Sequence, residues 1–460
     1  MTNNNQQKNL SEIISLCKRR GFIFQSCEIY GGLSGFWDLG PLGSLMKNNL
    51  RKLWLKRFTR QTDNVFLIEG TIIMHKRVWE ASGHIENFTD PLMECKKCNT
   101  RFRADHLMDG KFVGQGKAKE KGQCVNCGSK EFTEPRMFNL MFKTFVGPVE
   151  NDASIAYLRP ETAQSMFTNF QNVVNSMRAK LPFGIAQAGK CFRNEITTGD
   201  FIFRSREFEI AEIEFFVKPG EDEKWFDFWL EKWEKFFLEI GIKKENLRRY
   251  EHPKESLAHY SKRTVDLEYN FPFGWSELAG VANRTDYDLR RHNAFSGKDL
   301  MYFDEKENKK YFPYVIEPTM GLERVLMTLI IDAFEEIEGG RTKTTQPTKE
   351  KEYLLKLNKN IAPIKVAILP LVKNNEEIVK KSRDVFDMLK GDFYCQYDDA
   401  GSIGRRYRRQ DEIGTPYCIT IDFDTLKDDT VTVRDRDTME QERIKIKELP
   451  DFFKEQFEDI

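Results

Sequence analysis

The 460-residue chain contains no run of ~18 or more apolar residues, so nothing in it reads as a membrane-spanning helix. It carries no net charge either: 72 basic residues balance 72 acidic ones. Bulk attraction to nucleic acid is therefore excluded, and any such contact has to come from local basic patches. The opening MTNNNQQKNL is polar and lacks a signal-peptide core. Internal repeats and long low-complexity tracts are missing. Cysteine is scarce. Its odd count of nine, without a secretion signal, argues for a reducing, cytoplasmic setting. What is present is a soluble globular balance of 40% hydrophobic and 31% charged residues, with 37 Phe to fill a core. One core rarely grows past ~250–300 residues, so two or more domains are expected.

Residues 94–128 are rich in Cys, Lys and Gly and read as a small inserted module, placed at 90–150. The polar stretch GGRTKTTQPTKEK (339–351) marks a linker, placed at 341–361, between a body of 1–340 and a terminal domain of 362–460. The terminal domain alternates strand (Ile364–Leu371), helix, strand (Phe393–Tyr397), helix (Ser402–Gly414) and strand (Tyr417–Phe423). Its first helix has Asn375 as cap, a stripe of Ile378, Val379, Ser382, Val385, Phe386 and Leu389, and Gly391 as stop. This alternation predicts an α/β domain on a largely parallel sheet. In the body, Gly184–Ile196 and Arg206–Val217 are long strand-like runs joined by Thr197–Ser205, which predicts an antiparallel hairpin. Helical patterns at 162–180, 221–240 and 321–338 stand outside any alternation, so the body reads as α+β around an antiparallel sheet.

Cys95-Lys-Lys-Cys98 and Cys124-Val-Asn-Cys127 are separated by 25 residues. Two C-x-x-C turns complete a tetrahedral shell of four sulfurs, so Cys95, Cys98, Cys124 and Cys127 are the expected ligands of a structural Zn²⁺ in a ribbon-like module. Four Cys leave no open position for catalysis by that metal.

Alternation puts Gln187, Gly189, Cys191, Arg193 and Glu195 on one face of the first run, and Arg206, Phe208, Ile210, Glu212 and Glu214 on one face of the second. A packed core excludes such a mixture unless it is paired, which leaves a solvated face or the floor of a site for a flat, charged ligand. Phe208 and Glu212 lie ~13 Å apart, about the span of an adenosine phosphate joined to an amino acid. An aromatic at one end can stack a base, a carboxylate at the other can hold an ammonium, and Arg193 can neutralise a phosphate. Ile316–Arg324 runs into an apolar helix and puts Arg324 in its first turn, where free N–H groups favour phosphate.

Taken together, Ile29–Gly43 (IYGGLSGFWDLGPLG), Phe192–Glu195 (FRNE) with Phe203–Phe208 (FRSREF), and Glu317–Arg324 (EPTMGLER) resemble the three signature motifs of class II aminoacyl-tRNA synthetases. With Arg159–Gln164 (RPETAQ), Trp275–Leu278 (WSEL), Asn283–Asp288 (NRTDYD) and Gly404–Tyr417 (GRRYRRQDEIGTPY), the chain looks like the dimeric type of glycyl-tRNA synthetase from about residue 10 to 460. The resemblance implies ATP-dependent attachment of glycine to tRNA(Gly) through a glycyl-adenylate, with Mg²⁺ on the phosphates. It also implies a homodimer with Pro41 at its interface and an anticodon-binding domain at 362–460. Arg193 and Arg324 are the implied catalytic residues. Arg193 binds the α-phosphate, Glu195 positions ATP through the adenine amine, Phe208 stacks adenine, and Arg206 and Arg324 hold the outer phosphates. Glu277 and Leu278 complete the ATP site. Asn194, Phe203, Arg204, Ser205, Glu207, Gly321, Leu322 and Glu323 belong to the same stretches.

For the amino acid, Arg103, Glu161, Phe208, Glu209, Ile210, Ala211, Glu212, Glu317, Pro318, Thr319, Met320 and Gly321 match substrate-contacting positions. Glycine offers no side chain to grip, so Glu161, Glu212 and Glu317 are expected around its ammonium. Three buried carboxylates repel one another and are expected at raised pKa unless a cation is present. Two departures bear on the pocket: Thr319 stands where the family usually has Ser, and Ile210-Ala211 where bacterial members usually have Gln-Met. Arg405, Arg406, Arg408 and Arg409 either meet RNA phosphate or pair within the chain. Two other readings stay open here, a class II enzyme for another amino acid and a catalytically silent RNA-binding relative.

Overall fold

The computed structural model describes residues 9–109, 120–339, 341 and 351–457. The body is built on a seven-stranded sheet: β1 (Val65–Leu67), β2 (Phe183–Phe192), β3 (Glu207–Val217), β4 (Leu247–Glu251), β5 (Arg263–Phe271), β6 (Gly274–Thr285) and β7 (Tyr314–Gly321), in the order β4-β5-β6-β7-β3-β2-β1. Every pairing is antiparallel except that of β1 with β2. The expected hairpin is β2–β3, with Gln187 opposite Glu212 and Cys191 opposite Phe208. β2 stops at Phe192 rather than Ile196 because the Asn194 amide turns away to the Leu140 carbonyl.

Alternation along β3 divides the sheet's two faces. Ala211, Ile213 and Phe215 join a large core with Trp54, Trp229, Trp233 and Leu326, supplied by the helices Pro41–Leu55 (α1), Asp222–Glu239 (α2) and Leu322–Ala333 (α3). Each fully buried large side chain there contributes roughly 1.5–3 kcal/mol. Phe208, Ile210, Glu212, Glu214 and Phe216 point the other way. That face is closed at one end by Phe167, Phe170, Phe183 and Phe216 and is open at the other.

Three helix and linker boundaries differ from expectation. The 162–180 pattern breaks at Asn169 into Ala163–Thr168 and Phe170–Met177. The 321–338 helix ends at Ala333, and Phe334–Glu338 is a strand paired with Lys351–Leu355. The expected linker at 341–361 therefore contains a strand. The physical reason is a burial pattern closer to period two than to a helix: Glu336 and Glu338 are exposed around half-buried Ile337, and Glu352 and Leu354 are buried around half-buried Tyr353.

The terminal unit has strands β8 (Val366–Pro370), β9 (Cys395–Tyr397), β10 (Tyr417–Ile421), β11 (Thr430–Asp435) and β12 (Gln441–Lys445), in the order β9-β8-β10-β11-β12. The first three are parallel, and β11 and β12, absent from the sequence reading, add an antiparallel edge. Helix α4 (Glu376–Leu389) is capped by the Asn375 side chain, and α5 (Ile403–Ile413) ends on Gly414 at φ +78°. Three arginines of α5 are committed within the chain: Arg406 is buried on the Pro370 and Gly401 carbonyls, Arg408 pairs with Glu352, and Arg409 pairs with Asp398. Among the described residues, no helix is long and apolar enough to cross a membrane.

Candidate active site

The open face of β3 is the floor of a cavity of about 380 Å³. Phe208 lies at one end and Glu212 at the other, with Ile210 between them. Arg193, just past the end of β2, reaches over this floor. Its guanidinium lies 5.4 Å from the Phe208 ring centroid and 5.5 Å from that of Phe88, and its Nε donates to the Pro160 carbonyl at 3.1 Å. Arg324, in the first turn of α3, lies 4.5 Å from the Phe203 ring and holds Glu277 by both its carbonyl (3.0 Å) and its carboxylate (3.1 Å). Arg324 keeps the Glu277 carboxyl below the usual range. Glu195, Arg204, Ser205, Gly321 and Glu323 also line this end.

Arg206 does not line the cavity. Its guanidinium donates to the Glu195 and Ser34 carbonyls, and its amide donates to the Gly35 carbonyl. This stitches the loop of the second motif to that of the first, so Arg204 replaces Arg206 as the cavity's arginine on this strand entry.

At the other end the three carboxylates converge, each held differently. Glu212 accepts from the Thr162 amide (2.8 Å) and hydroxyl and from the Thr319 hydroxyl (3.1 Å). The hydroxyl at 319 is thus used as a hydrogen-bond donor. Glu317 accepts from Arg284 Nη1 at 2.8 Å. Arg284, itself buried, grips Asp288 through Nε (2.8 Å) and Nη2 (3.0 Å), and its guanidinium lies 4.1 Å from the Tyr260 ring centroid. Glu161 accepts from Gln164 at 2.9 Å and faces His84 Nε2 at 3.3 Å.

Burial pushes Glu317 up to about 8: Glu212 and Glu161 add to the rise and Arg284 only partly offsets it. Burial and Glu161 also raise Glu212. Glu161 departs from the expected common rise. Burial opposes its charge, but His84, Arg284 and Gln164 outweigh burial and hold it well below the usual range. Arg103, from the inserted module, lines the same cavity and is braced by Asp90 (2.7 Å) and Asp105 (2.7 Å).

Several expected site residues lie elsewhere. Glu209 and Ala211 alternate to the back of the sheet, Glu209 pairing with Lys47 at 3.0 Å and Ala211 entering the core. Pro318 takes the same back face between Glu317 and Thr319, while Met320 still edges the cavity. Leu278 and Leu322 are core residues. Glu207 pairs with Lys190, and Asn194 does not line the cavity. The sequence reading missed Arg284, Tyr260, Phe88, Asp90, Leu140 and Ile202 as cavity residues. Only Arg284 carried a signal, because it stands in the NRTDYD stretch.

In the inserted module, the four sulfurs of Cys95, Cys98, Cys124 and Cys127 all lie within 4.8 Å of one another. Zn–S bonds of about 2.3 Å set tetrahedral sulfurs about 3.8 Å apart, so this arrangement fits the ion. Asn99 (φ +56°) and Gly128 (φ +74°) turn the chain at matching places after each pair.

The sequence matches the tRNA synthetase class II core domain (G, H, P, S and T) over residues 145–333 and the anticodon binding domain over 365–456. It is 50% identical to a glycine–tRNA ligase of Thermobifida fusca over 454 residues, covering 97% of both chains. It is 51% identical to one of Cutibacterium acnes over 453 residues, covering 96% of this chain and 95% of that one.

The chain belongs to the glycine–tRNA ligases.

As a glycine–tRNA ligase it attaches glycine to tRNA, and the two other readings, another amino acid or a silent relative, are not favoured. A prolyl-tRNA synthetase of Cryptosporidium parvum, 16% identical, shares the fold with a TM-score of 0.64 over 96% of this ligase and 76% of that chain.

Proposed function

We propose that the cavity on β3 activates glycine with ATP and then passes the glycyl group to tRNA. One observation carries this reading: Glu161, Glu212 and Glu317 converge at one end of the same cavity that holds Arg193 and Phe208 at the other. The ammonium of glycine sits among the carboxylates, and its carboxylate points toward Arg193. Phe208 stacks adenine, Arg193 takes the α-phosphate, and Arg204 and Arg324 take the outer phosphates. Attack of the glycine carboxylate on the α-phosphorus forms the new O–P bond and expels pyrophosphate. The terminal tRNA hydroxyl then attacks the acyl carbon and AMP leaves. Charge neutralisation and alignment carry the first step, so no general base is assigned to it. With Arg324 drawn onto the phosphates, the Glu277 carboxylate it now pairs with would be left to hold Mg²⁺, which would add charge neutralisation there.

Four further roles belong to this proposal. Cys95, Cys98, Cys124 and Cys127 hold a structural Zn²⁺. Residues 362–460 bind the anticodon region of tRNA(Gly). The exposed Ile29, Tyr30 and Leu33 of the first motif, together with Pro41 at the start of α1, meet a second copy in a homodimer. The enzyme works in the cytoplasm.

Amino-acid-dependent exchange of pyrophosphate into ATP tests the assignment. Glycine should support exchange, with alanine and serine inert, and Arg193→Ala should abolish it without lowering Tm. Full activity in that variant sinks the assignment of Arg193.

A further inference from the structure

Both ends of the cavity lean on one short segment that motif reading passed over. His84–Asn87 is a single helical turn followed by Phe88. Its entry is fixed by Gly83 at φ +81°. The Asn139 side chain fixes it further by donating to the carbonyls of His84 (3.1 Å) and Ile85 (2.9 Å).

The His84 ring packs edge-on against buried Trp79 at 5.3 Å, and its Nδ1 is 2.8 Å from the Ser82 hydroxyl. Its Nε2 is thereby left facing Glu161 Oε2 at 3.3 Å. An ionised carboxylate only accepts, so Nε2 carries the hydrogen. Gln164 occupies the other Glu161 oxygen, so the two contacts together fix the plane of the carboxylate.

Four residues on, Phe88 stands beside His84 with ring centroids 5.4 Å apart. Phe88 and Phe208 both lie against the guanidinium of Arg193.

We propose that His84 and Phe88 are positioning residues for the activation step: His84 aims Glu161 at the ammonium, and Phe88 holds Arg193 over the phosphate end. One helical turn then sets the spacing between the amino-acid and nucleotide halves of the reaction. The inference rests on the assignment of Glu161 and Arg193 made above.

The test is glycine-dependent exchange on the full-length protein, with KM measured separately for glycine and ATP. The active fraction is taken from adenylate formed in a single turnover, and Tm from a melt. His84→Phe keeps a ring against Trp79 and Phe88 but loses the donor. It should raise the glycine KM roughly tenfold to a hundredfold and leave the ATP KM within about twofold. His84→Gln, with an amide N–H at similar reach, should recover most of the loss. Phe88→Leu should lower kcat by about tenfold or more with the glycine KM unchanged, and Phe88→Tyr should restore it.

Equal shifts in both KM values, or a loss fully explained by the active fraction and Tm, overturn the inference. Glu161→Gln and Arg193→Ala separate the two possible failures. If these leave exchange intact, the site assignment falls and this inference with it. If they cripple exchange while His84→Phe and Phe88→Leu do not, only the inference falls.

Discussion

Arg284 donates from Nη1 to Oε1 of Glu317 at 2.8 Å, so the pocket proposed to receive the ammonium already contains a cation. Asp288 takes the rest of the same guanidinium, and all three side chains are buried. Arg284→Gln strips this cluster of its positive charge. Breaking a buried network by removing one partner costs about 3–5 kcal/mol. Urea unfolding should show a loss of that order, and exchange should disappear. A variant of wild-type stability would contradict the role given to Arg284.

Glycine affinity should depend on pH through Glu317, which burial raises to about 8. Below that pH the empty pocket holds a proton on Glu317, and the ammonium requires the carboxylate. Binding therefore releases a proton, and the glycine KM falls as pH rises toward 8, by up to about tenfold per unit well below it. Glu317→Gln should remove the dependence and bind weakly throughout. Exchange kinetics in buffers from ~6.5 to ~8.5 supply the measurement.

Glu214 lies two residues past Glu212 on the same face of β3, and the register of β3 with β7 sets it across from Glu317. It is fully buried, and no protein donor reaches either oxygen among the described residues. Burial, with Glu317 adding to it, pushes its carboxyl well above the ordinary range. The folded state thus keeps a proton that the unfolded chain sheds at ordinary carboxyl pKa. Stability should fall as pH rises between those two values, by about 1.4 kcal/mol per unit for such a group. Glu214→Gln should flatten that part of the profile, as read from urea titrations at ~pH 6 and ~pH 8.

Elemental analysis of the purified protein should find about one zinc per chain, lost in Cys95→Ser. The ligand sulfurs, all in one small cluster, have little other core beneath them. Metal loss should therefore loosen the module and withdraw Arg103 from the cavity, raising the glycine KM more than the ATP KM.

On α5, Arg405 is the exposed member of the basic run, while Arg406, Arg408 and Arg409 serve the chain itself. Arg405→Ala should raise the tRNA KM and leave exchange and Tm unchanged. Arg409→Ala should lower Tm by breaking its contact with Asp398. If both variants behave alike in tRNA charging, this division fails.

The hairpin of β2 and β3 was legible in the sequence because two periodic runs met at one loop, and so was the face carrying Phe208 and Glu212. The same period places Glu209 and Ala211 on the back of the sheet, although matching whole motif stretches carried them into the site. Motif order exposed Arg193, Glu277 and Arg324. Phe88 and Tyr260 had no such mark, since each reaches the cavity through a long-range approach that no local spacing encodes. Phe334–Glu338 reads as helix from sequence because it continues an apolar helix without a break, and its strand partner lies beyond the polar stretch.

The stitch from Arg206 to Ser34 and Gly35 ties the loop bearing Ile29 and Tyr30 to the loop proposed to bracket the phosphates. Whatever settles on those two exposed side chains acts on the nucleotide end without entering it. If the proposed homodimer forms there, quaternary contact and catalytic readiness are a single switch, and dilution of the protein acts as an inhibitor.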